Sequence, residues 1–323
     1  MDPLYPLLFQ PLLKERVWGG RQLEQLYGKP LPAAVPIGES WEISDRLGDV
    51  SKIANGKLAG KDLHFLVEEF GSKLLGQTSP IGTRFPLLIK ILESRERLSL
   101  QVHPPASKAV VLGGEPKTEF WYIAEAAPGA ELYVGLKKGC TRGEFIERIE
   151  RGTVEDCFHR VSVRAGDAMF LPSGRVHALG AGMVIFEIQQ NSDTTYRVFD
   201  WNRIGLDGKP RALHIKESLE SIDFEDFEPG LVRPEHRPGP VETMSLVKHS
   251  LFSVELSVFK PEQKLPLAGG KMQIIGVVTG EIEITCGQNS VPVEPGSFCL
   301  LPACLESVVL KARKPAKILR VEG

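Results

Sequence analysis

The chain has 323 residues, of which 42% are hydrophobic and 25% are charged, and its formal net charge at pH 7 is −2. This composition predicts a globular protein with one large domain or two of ordinary size. The absence of a basic charge excess argues against nucleic acid as the partner, and no segment approaches the roughly 20 apolar residues of a membrane span.

The five cysteines form no C-x-x-C pair, and the sequence opens on Met1-Asp2-Pro3 with no cationic or apolar leader. These features are typical of reduced thiols in a cytoplasmic protein, not of a disulfide framework. We therefore expect a cytoplasmic protein that acts on a small molecule.

Short apolar runs, separated by 24 prolines and 32 glycines, predict a mainly β protein. Helical spacing of apolar residues is confined to residues 61–76, to residues 141–152, where Thr141 and Glu144 form a capping-box pattern, and to about 211–221. We expect these helices to be insertions into a β scaffold.

An internal repeat relates the two parts of the chain. The segment VRAGDAMFLP at 163–172 aligns with VEPGSFCLLP at 293–302, and a stretch rich in proline and glycine lies between them. The sequence predicts two related β-barrels: a catalytic domain at 1–228 with the helical insertions, a linker at 229–241 and a second β domain at 242–323.

The segment LSLQVHPP at 98–105 alternates polar and apolar residues and ends on two prolines. In a strand, this alternation places Gln101 and His103 on one face and Leu100 and Val102 on the other. The two polar side chains point either to water or to a site.

Two further segments favour a binding site over exposure of these side chains to water. Residues 166–177 match the second signature of the cupin barrel, G-x5-P-x-G-x2-H, and end on His177 without the usual final asparagine. The segment KTEFWYI at 117–123 alternates, so Lys117, Glu119 and Trp121 share one face.

Gln101, His103, Glu119 and His177 would together offer one amide oxygen, two imidazoles and one carboxylate. This set suits a divalent transition metal such as zinc, which takes nitrogen and oxygen ligands at about 2.0–2.2 Å. Because glutamine adds no charge, the site would keep a net positive charge that stabilises an oxyanion.

A third polar segment, residues 187–201, alternates so that five polar side chains share one face: Gln189, Asn191, Asp193, Thr195 and Arg197. Such a face belongs on the solvent side or in a polar cavity. We expect the cavity, with the strand of His177 as the neighbouring strand across one short hairpin around GAGMV (180–184).

The chain resembles the type I phosphomannose isomerases, metal-dependent cupins that interconvert mannose 6-phosphate and fructose 6-phosphate. The resemblance runs from about residue 8 to residue 215 and is weak beyond 240. It rests on VWGG (17–20), GESWEIS (38–44), FPLLIKIL (85–92), LSLQVHP (98–104), KTEFWYI (117–123), LPSGRVHALG (171–180) and QQNSDTTYR (189–197).

This resemblance implies roles for particular residues. The four candidate ligands match the family's zinc ligands, and Arg197 matches its active-site arginine. Lys90, Lys117 and Asp193 match polar positions around the sugar phosphate, and Ser99 matches a serine beside the metal strand. The chain departs from the family at HPPASKAVV (103–111), which lacks the usual acidic residue or asparagine, and the second barrel lacks the metal set.

The expected function is therefore a zinc-dependent mannose-6-phosphate isomerase that moves a proton between C2 and C1 through an enediolate. Arg197, Lys90 and Ser99 would bind the substrate, and the base is open among Lys90, Lys117 and Asp193. Trp41 and Glu42 are either pocket or structural residues, and His159 and His214 are not expected to be ligands.

Two alternatives remain open at this stage. The same two histidines and carboxylate occur in iron-dependent oxygenases, and a bicupin sugar sensor would bind a sugar phosphate without turnover. The native metal, the choice among phosphorylated and free aldoses, and the oligomeric state, monomer or homodimer, are also open.

Overall fold

The computed structural model describes residues 4–77 and 83–323, which are mainly β structure. The helices are α1 (Gln22–Tyr27), α2 (Leu63–Leu75), α3 (Ala106–Ala109), α4 (Arg142–Glu150) and α5 (Ile215–Ser221), with a 3-10 helix at Val154–Cys157. The strands are β1 (Leu7–Leu8), β2 (Leu12–Gly20), β3 (Ile37–Ile43), β4 (Asp45–Arg46), β5 (Asp49–Val50), β6 (Leu87–Ser94), β7 (Leu100–Val102), β8 (Glu119–Ala126), β9 (Glu131–Leu136), β10 (Phe158–Ser162), β11 (Ala168–Leu171), β12 (His177–Leu179), β13 (Met183–Gln190), β14 (Tyr196–Phe199), β15 (Glu235–Arg237), β16 (Glu242–Lys248), β17 (Ser253–Phe259), β18 (Lys264–Leu267), β19 (Gln273–Thr279), β20 (Ile282–Cys286), β21 (Asn289–Val293), β22 (Phe298–Leu301), β23 (Val308–Ala312) and β24 (Ala316–Glu322).

The three predicted helices are present as α2, α4 and α5. The Asp62 carboxylate caps α2 by accepting a hydrogen bond of 2.8 Å from the Phe65 amide, and Thr141 Oγ1 caps α4 by accepting one of 3.2 Å from the Glu144 amide. The short helices α1 and α3 were not predicted.

The strands form four main antiparallel sheets and one small hairpin of β4 and β5. The six-stranded sheet has the order β11-β8-β13-β6-β3-β2 and the five-stranded sheet the order β10-β9-β12-β7-β14. The seven-stranded sheet has the order β1-β22-β19-β24-β17-β16-β15 and the four-stranded sheet the order β18-β23-β20-β21.

The six-stranded sheet buries both of its faces. Along β8, Phe120 and Tyr122 enter one hydrophobic cluster with residues of the seven-stranded sheet, such as Leu319. Trp121 and Ile123, on the opposite face, enter a second cluster with residues of the five-stranded sheet. Successive side chains of a strand point to opposite faces of the sheet. Because both faces are buried here, β8 and β13 consist mostly of apolar residues.

The outer layers complete the stack. The seven-stranded and four-stranded sheets share a third cluster through Ile275 and Ile284. The outer face of the five-stranded sheet packs against α4 and the carboxy-terminal end of α5 through Leu100, Phe145 and Ile222. The outer faces of both the five-stranded and the six-stranded sheet are therefore covered by packed side chains.

The two repeat segments have the same local structure. In each, a glycine with positive φ, Gly166 at 97° and Gly296 at 73°, makes a turn before a four-residue strand, β11 or β22. Each sheet in the described ranges has two edge strands, so these residues form packed open sheets and no closed barrel, and the predicted pair of barrels is not confirmed. The segment predicted as a linker contributes β15 to the edge of the seven-stranded sheet.

None of the helices in residues 4–77 and 83–323 has the length and apolar character needed to cross a membrane.

Candidate active site

Three of the four predicted metal ligands converge between the five- and six-stranded sheets. His103 Nε2 lies 3.2 Å from Glu119 Oε1, and His177 Nε2 lies 3.6 Å from Glu119 Oε2. One ligand atom from each residue falls within 4.8 Å of the others, and all three side chains are about 1% exposed. Sheet pairing brings them together, because β12 pairs with β7 and β8 lies in the facing sheet.

Backbone carbonyls orient both imidazoles. His103 Nδ1 lies 2.8 Å from the carbonyl oxygen of Thr194, and His177 Nδ1 lies 2.9 Å from that of Arg175. A carbonyl only accepts, so each Nδ1 carries the proton and each Nε2 turns its lone pair towards Glu119. Burial, followed by Lys117, lowers the pKa of His103 to about 3, and burial also lowers that of His177. Both rings are neutral at pH 7, as metal ligands must be.

Glu119 supplies the negative charge of this cluster. Its burial raises the pKa, but Lys117 and the two histidines lower it more, so the carboxylate is ionised with a pKa well below its usual range. Lys117 Nζ lies 2.5 Å from Oε1, yet neither carboxylate oxygen accepts a hydrogen bond of ordinary geometry. Two buried oxygens without hydrogen bonds that face two imidazole lone pairs fit a divalent cation.

Gln101 lies beside this cluster, next to His177. It pairs with His177 across β7 and β12, and its Nε2 lies 3.3 Å from His177 Nε2 while its Oε1 lies 3.3 Å from Ser99 Oγ. An amide binds a metal through its oxygen, so a half turn of this amide is needed for the predicted ligand role.

A polar cavity of about 530 Å³ opens beside the cluster. Its lining includes every predicted site residue outside the buried triad, namely Lys90, Ser99, Gln101, Lys117, Asp193 and Arg197. Glu42, in contrast, pairs with Lys29 at 2.7 Å and is structural. His214 lines the cavity but, as expected, does not belong to the histidine–glutamate cluster, and neither does His159.

Lys90 belongs to a buried network of charges. Its Nζ lies 3.2 Å from Glu187 Oε2 and 3.7 Å from Glu39 Oε2. Burial lowers the pKa of Lys90, but these two carboxylates raise it above its usual value, so the amine is charged. Glu39 also accepts hydrogen bonds from Arg16 and Trp41. The positive charges of Lys90 and Arg16, together with these hydrogen bonds, outweigh the burial of Glu39 and lower its pKa to about 2.

Glu187 is a functional candidate that the sequence analysis missed. Trp121 Nε1 donates to its Oε1 at 2.8 Å, while its buried Oε2 accepts no hydrogen bond of ordinary geometry. Burial and the nearby Glu119 raise its pKa, although Lys90 opposes this. Extending the alternation of residues 189–197 backwards by two positions would have placed Glu187 on the same face.

The polar segment 187–201 is only partly the predicted cavity wall. Asp193, Thr195 and Arg197 line the cavity. Gln189 instead donates to the carbonyl oxygens of residues 190 and 192, and Asn191 donates to those of residues 45 and 85. The expectation that this segment neighbours the strand of His177 is wrong, since β13 pairs with β6 and β8, and β14 pairs with β7.

The sequence departure at 103–111 does not displace His103 from the cluster with Glu119 and His177. The segment forms α3, and Val110 and Val111 after it are 86% and 88% exposed. Within the described part of the chain, the triad His103–Glu119–His177 is the only group of three or more histidine, cysteine or acidic side chains arranged to hold a metal ion, and residues 242–323 contribute none.

Residues 7–121 match the family model of the type I phosphomannose isomerase catalytic domain. The chain is 37% identical to the mannose-6-phosphate isomerase ManA of Bacillus subtilis over 92% of this chain and 93% of that protein, and 34% identical to the mannose-6-phosphate isomerase of Streptococcus mutans over 94% of each.

The fold agrees with these similarities. The crystal structure of the mannose 6-phosphate isomerase from Bacillus subtilis matches with a TM-score of 0.89 and 30% identity over 98% of this chain and 99% of that one. A putative mannosephosphate isomerase from Archaeoglobus fulgidus matches in fold, with a TM-score of 0.79 and 21% identity over 98% of each chain. The chain belongs to the type I phosphomannose isomerase family.

Proposed function

We propose that the protein interconverts mannose 6-phosphate and fructose 6-phosphate with one bound divalent metal ion, zinc, and that it is a cytoplasmic enzyme. The observation that carries the proposal is the buried His103–Glu119–His177 cluster beside a polar cavity, whose wall includes the neighbouring Gln101 and Lys117. The relatives named mannose-6-phosphate isomerase, similar along nearly the whole chain, support the same reaction.

His103, Glu119, His177 and the Gln101 oxygen would hold the metal. When bound, a divalent metal acts as a Lewis acid that stabilises the oxyanion of an enediolate. The carbonyl bonds to both Nδ1 atoms fix the imidazoles, and Lys117 beside Glu119 adds positive charge next to the reacting oxygens.

Isomerisation also needs a group that takes a proton from C2 and returns it at C1. Lys90 is a poor acceptor because two carboxylates keep it charged. We propose that Glu187 carries the proton, since its Oε2 is buried at the cavity wall and has no ordinary hydrogen bond. Lys90, 3.2 Å away, would keep enough of this carboxylate ionised to act as a base.

We also propose that the sheet pairs derive from two cupin units. Residues 1–228 would be the catalytic unit with helical insertions, residues 229–241 the connection and residues 242–323 a structural unit. The repeated glycine turn and strand at β11 and β22 support this division.

The direct test is an assay of fructose 6-phosphate formed from mannose 6-phosphate by zinc-loaded protein, with the bound metal counted by elemental analysis. Glu119→Gln should lose both the zinc and the turnover. Glu125→Gln, an exposed position on the same strand β8, is the matched control and should keep both. Full turnover by Glu119→Gln, or no turnover by zinc-loaded wild type, would refute the proposal.

The two alternatives are less well supported. An iron oxygenase predicts oxygen consumption with Fe(II) and gives no role to the lysines and arginines that line the cavity. A sugar-binding protein without turnover predicts that mannose 6-phosphate binds but is recovered unchanged.

A further inference from the structure

Two cysteines meet in the hydrophobic cluster that covers the outer face of the five-stranded sheet. Cys140 ends the turn after β9, and Cys157 ends the 3-10 helix directly before β10, the partner strand of β9. The Lys137 amide donates to the Cys157 carbonyl oxygen at 2.8 Å, and the Cys140 amide donates to the Lys137 carbonyl oxygen at 3.1 Å. The turn therefore folds Cys140 back beside Cys157, although residues 141–156 lie between them in the chain.

The two thiols are in contact and are not equivalent. Both are free, and they form a hydrogen bond with each other. Burial raises the pKa of both cysteines, that of Cys157 to about 12. The hydrogen bond adds to this rise at Cys157 but lowers the pKa of Cys140, so Cys157 donates and the Cys140 sulfur accepts. Cys140 is therefore the sulfur that becomes a thiolate more readily.

A second cavity gives access to this pair. Its volume is about 400 Å³, and besides the two cysteines its wall contains three cations and two acids, namely Lys137, Lys138, Arg148, Glu144 and Asp156. One water molecule occupies ~30 Å³ in the liquid, so a molecule of the size of hydrogen peroxide fits this space. Cys140 is 6% exposed and Cys157 is 2% exposed, so Cys140 is also the thiol that an oxidant reaches more easily. The excess of cations in the wall favours its thiolate.

We infer that Cys140 and Cys157 form a reversible disulfide when the protein is exposed to hydrogen peroxide. The Cys140 thiolate attacks one peroxide oxygen and the O–O bond breaks. The departing hydroxide takes up the proton that Cys140 released and leaves as water, and Cys140 becomes a sulfenic acid. The Cys157 sulfur then attacks the Cys140 sulfur, the S–S bond forms, and the S–O bond breaks to release a second water that carries the Cys157 proton. Two thiols thus give two electrons to one peroxide.

The disulfide closes a loop that contains α4 and the 3-10 helix. Such a bond restricts the unfolded chain more than the folded one, and for a loop of about 15 residues in a chain of this size it raises the melting temperature by about 4 °C. It also protects Cys140, because thiols reduce a disulfide again, whereas further oxidation to a sulfonic acid is irreversible.

The test is peptide mapping of the folded, metal-loaded protein after exposure to hydrogen peroxide, with free thiols alkylated before trypsin is added. Cleavage after lysine and arginine releases Cys140 in peptide 139–142 and Cys157 in peptide 152–160. The two peptides should appear joined, at the sum of their masses less two hydrogens, and dithiothreitol should separate them. The treated protein should melt about 4 °C higher than the untreated protein, and the reductant should reverse this shift.

Three variants test the role of each cysteine. Cys157→Ser should leave Cys140 as a sulfenic acid that dimedone labels, whereas Cys140→Ser should give much less label on Cys157. Cys304→Ser removes an exposed cysteine elsewhere in the fold and is the matched control, which should keep both the joined peptide and the shift in melting temperature. A thermal melt without peroxide identifies any variant that fails to fold, and the wild-type peptide map depends on no variant.

Absence of the joined peptide in the wild type, at a peroxide concentration that oxidises the exposed Cys304, would overturn the inference. A joined peptide that forms only in urea would do the same, because the contact in the folded protein would then have no part in the reaction. The inference does not rest on the proposed function, and none of these outcomes depends on the turnover of mannose 6-phosphate.

Discussion

Replacing Lys90 by methionine tests the buried charge network at the cavity wall. Lys90 and Glu187 are each about 3% exposed, and the lysine is the cation that faces Glu187 Oε2 at 3.2 Å. Removing one partner of a buried ion pair costs about 3–5 kcal/mol, because the other charge is left without compensation. Glu39 keeps Arg16 and Trp41, so most of the cost falls on Glu187.

The assay is urea unfolding at 25 °C of Lys90→Met, Glu187→Gln and the double variant. The double variant should recover at least about 2 kcal/mol of the loss, because the unpaired carboxylate is gone. Lys311→Met, which breaks the exposed pair with Glu262, is the control and should cost less than about 1 kcal/mol.

The loss in Lys90→Met should also depend on pH. Glu187 already has a raised pKa in the folded protein, and without Lys90 its native state binds a proton more readily than the unfolded chain does. Such a group stabilises the fold below its unfolded pKa and loses that contribution as the pH rises through its folded pKa. The deficit should therefore shrink as the pH falls through the raised pKa of Glu187. A loss below 1 kcal/mol, or one that is constant with pH, would refute this account of the network.

Three further predictions concern other parts of the molecule. Glu187→Gln should lower kcat about 10²–10⁴-fold and leave the zinc content unchanged, as measured by turnover and elemental analysis; unchanged kcat would exclude Glu187 as the base. Asp200→Asn should cost about 1–3 kcal/mol at pH 7 in urea unfolding, since Asp200 holds Arg203 and Arg211. The pKa of Asp200 is lowered because these arginines outweigh burial, so this deficit should vanish as the pH falls through the folded pKa; a constant deficit would contradict it. Thr141→Ala should cost about 1 kcal/mol in thermal unfolding, while Thr153→Ala, which makes no capping bond, should cost less.

The sequence was sufficient for features that depend on local pattern. Alternation along a strand decides which face a side chain occupies, so Gln101 was placed on the face of His103, and Glu119 on the face of Trp121. The Thr141 cap likewise follows from residues three positions apart.

The sequence did not predict which distant strands pair with each other. The short connection at 180–182 looked like a hairpin, but Gly180 bonds to Glu131 in the five-stranded sheet and Gly182 to Ser94 in the six-stranded sheet. The chain therefore crosses between sheets there, and β13 does not pair with the strand that precedes it. Arg16 was missed for the same reason, because it is brought to the cavity by β2, the edge strand of the six-stranded sheet.

The double-sided burial of the six-stranded sheet has a consequence for how this protein can change. Glu119 shares β8 with Phe120 and Tyr122, which lie against the carboxy-terminal sheet. A shortened chain ending near residue 241 would expose the apolar face of β8 to water directly behind Glu119, the proposed metal ligand. The carboxy-terminal quarter, residues 242–323, adds nothing to the histidine–glutamate cluster but covers this apolar face, so deleting it should yield insoluble protein instead of a smaller working enzyme.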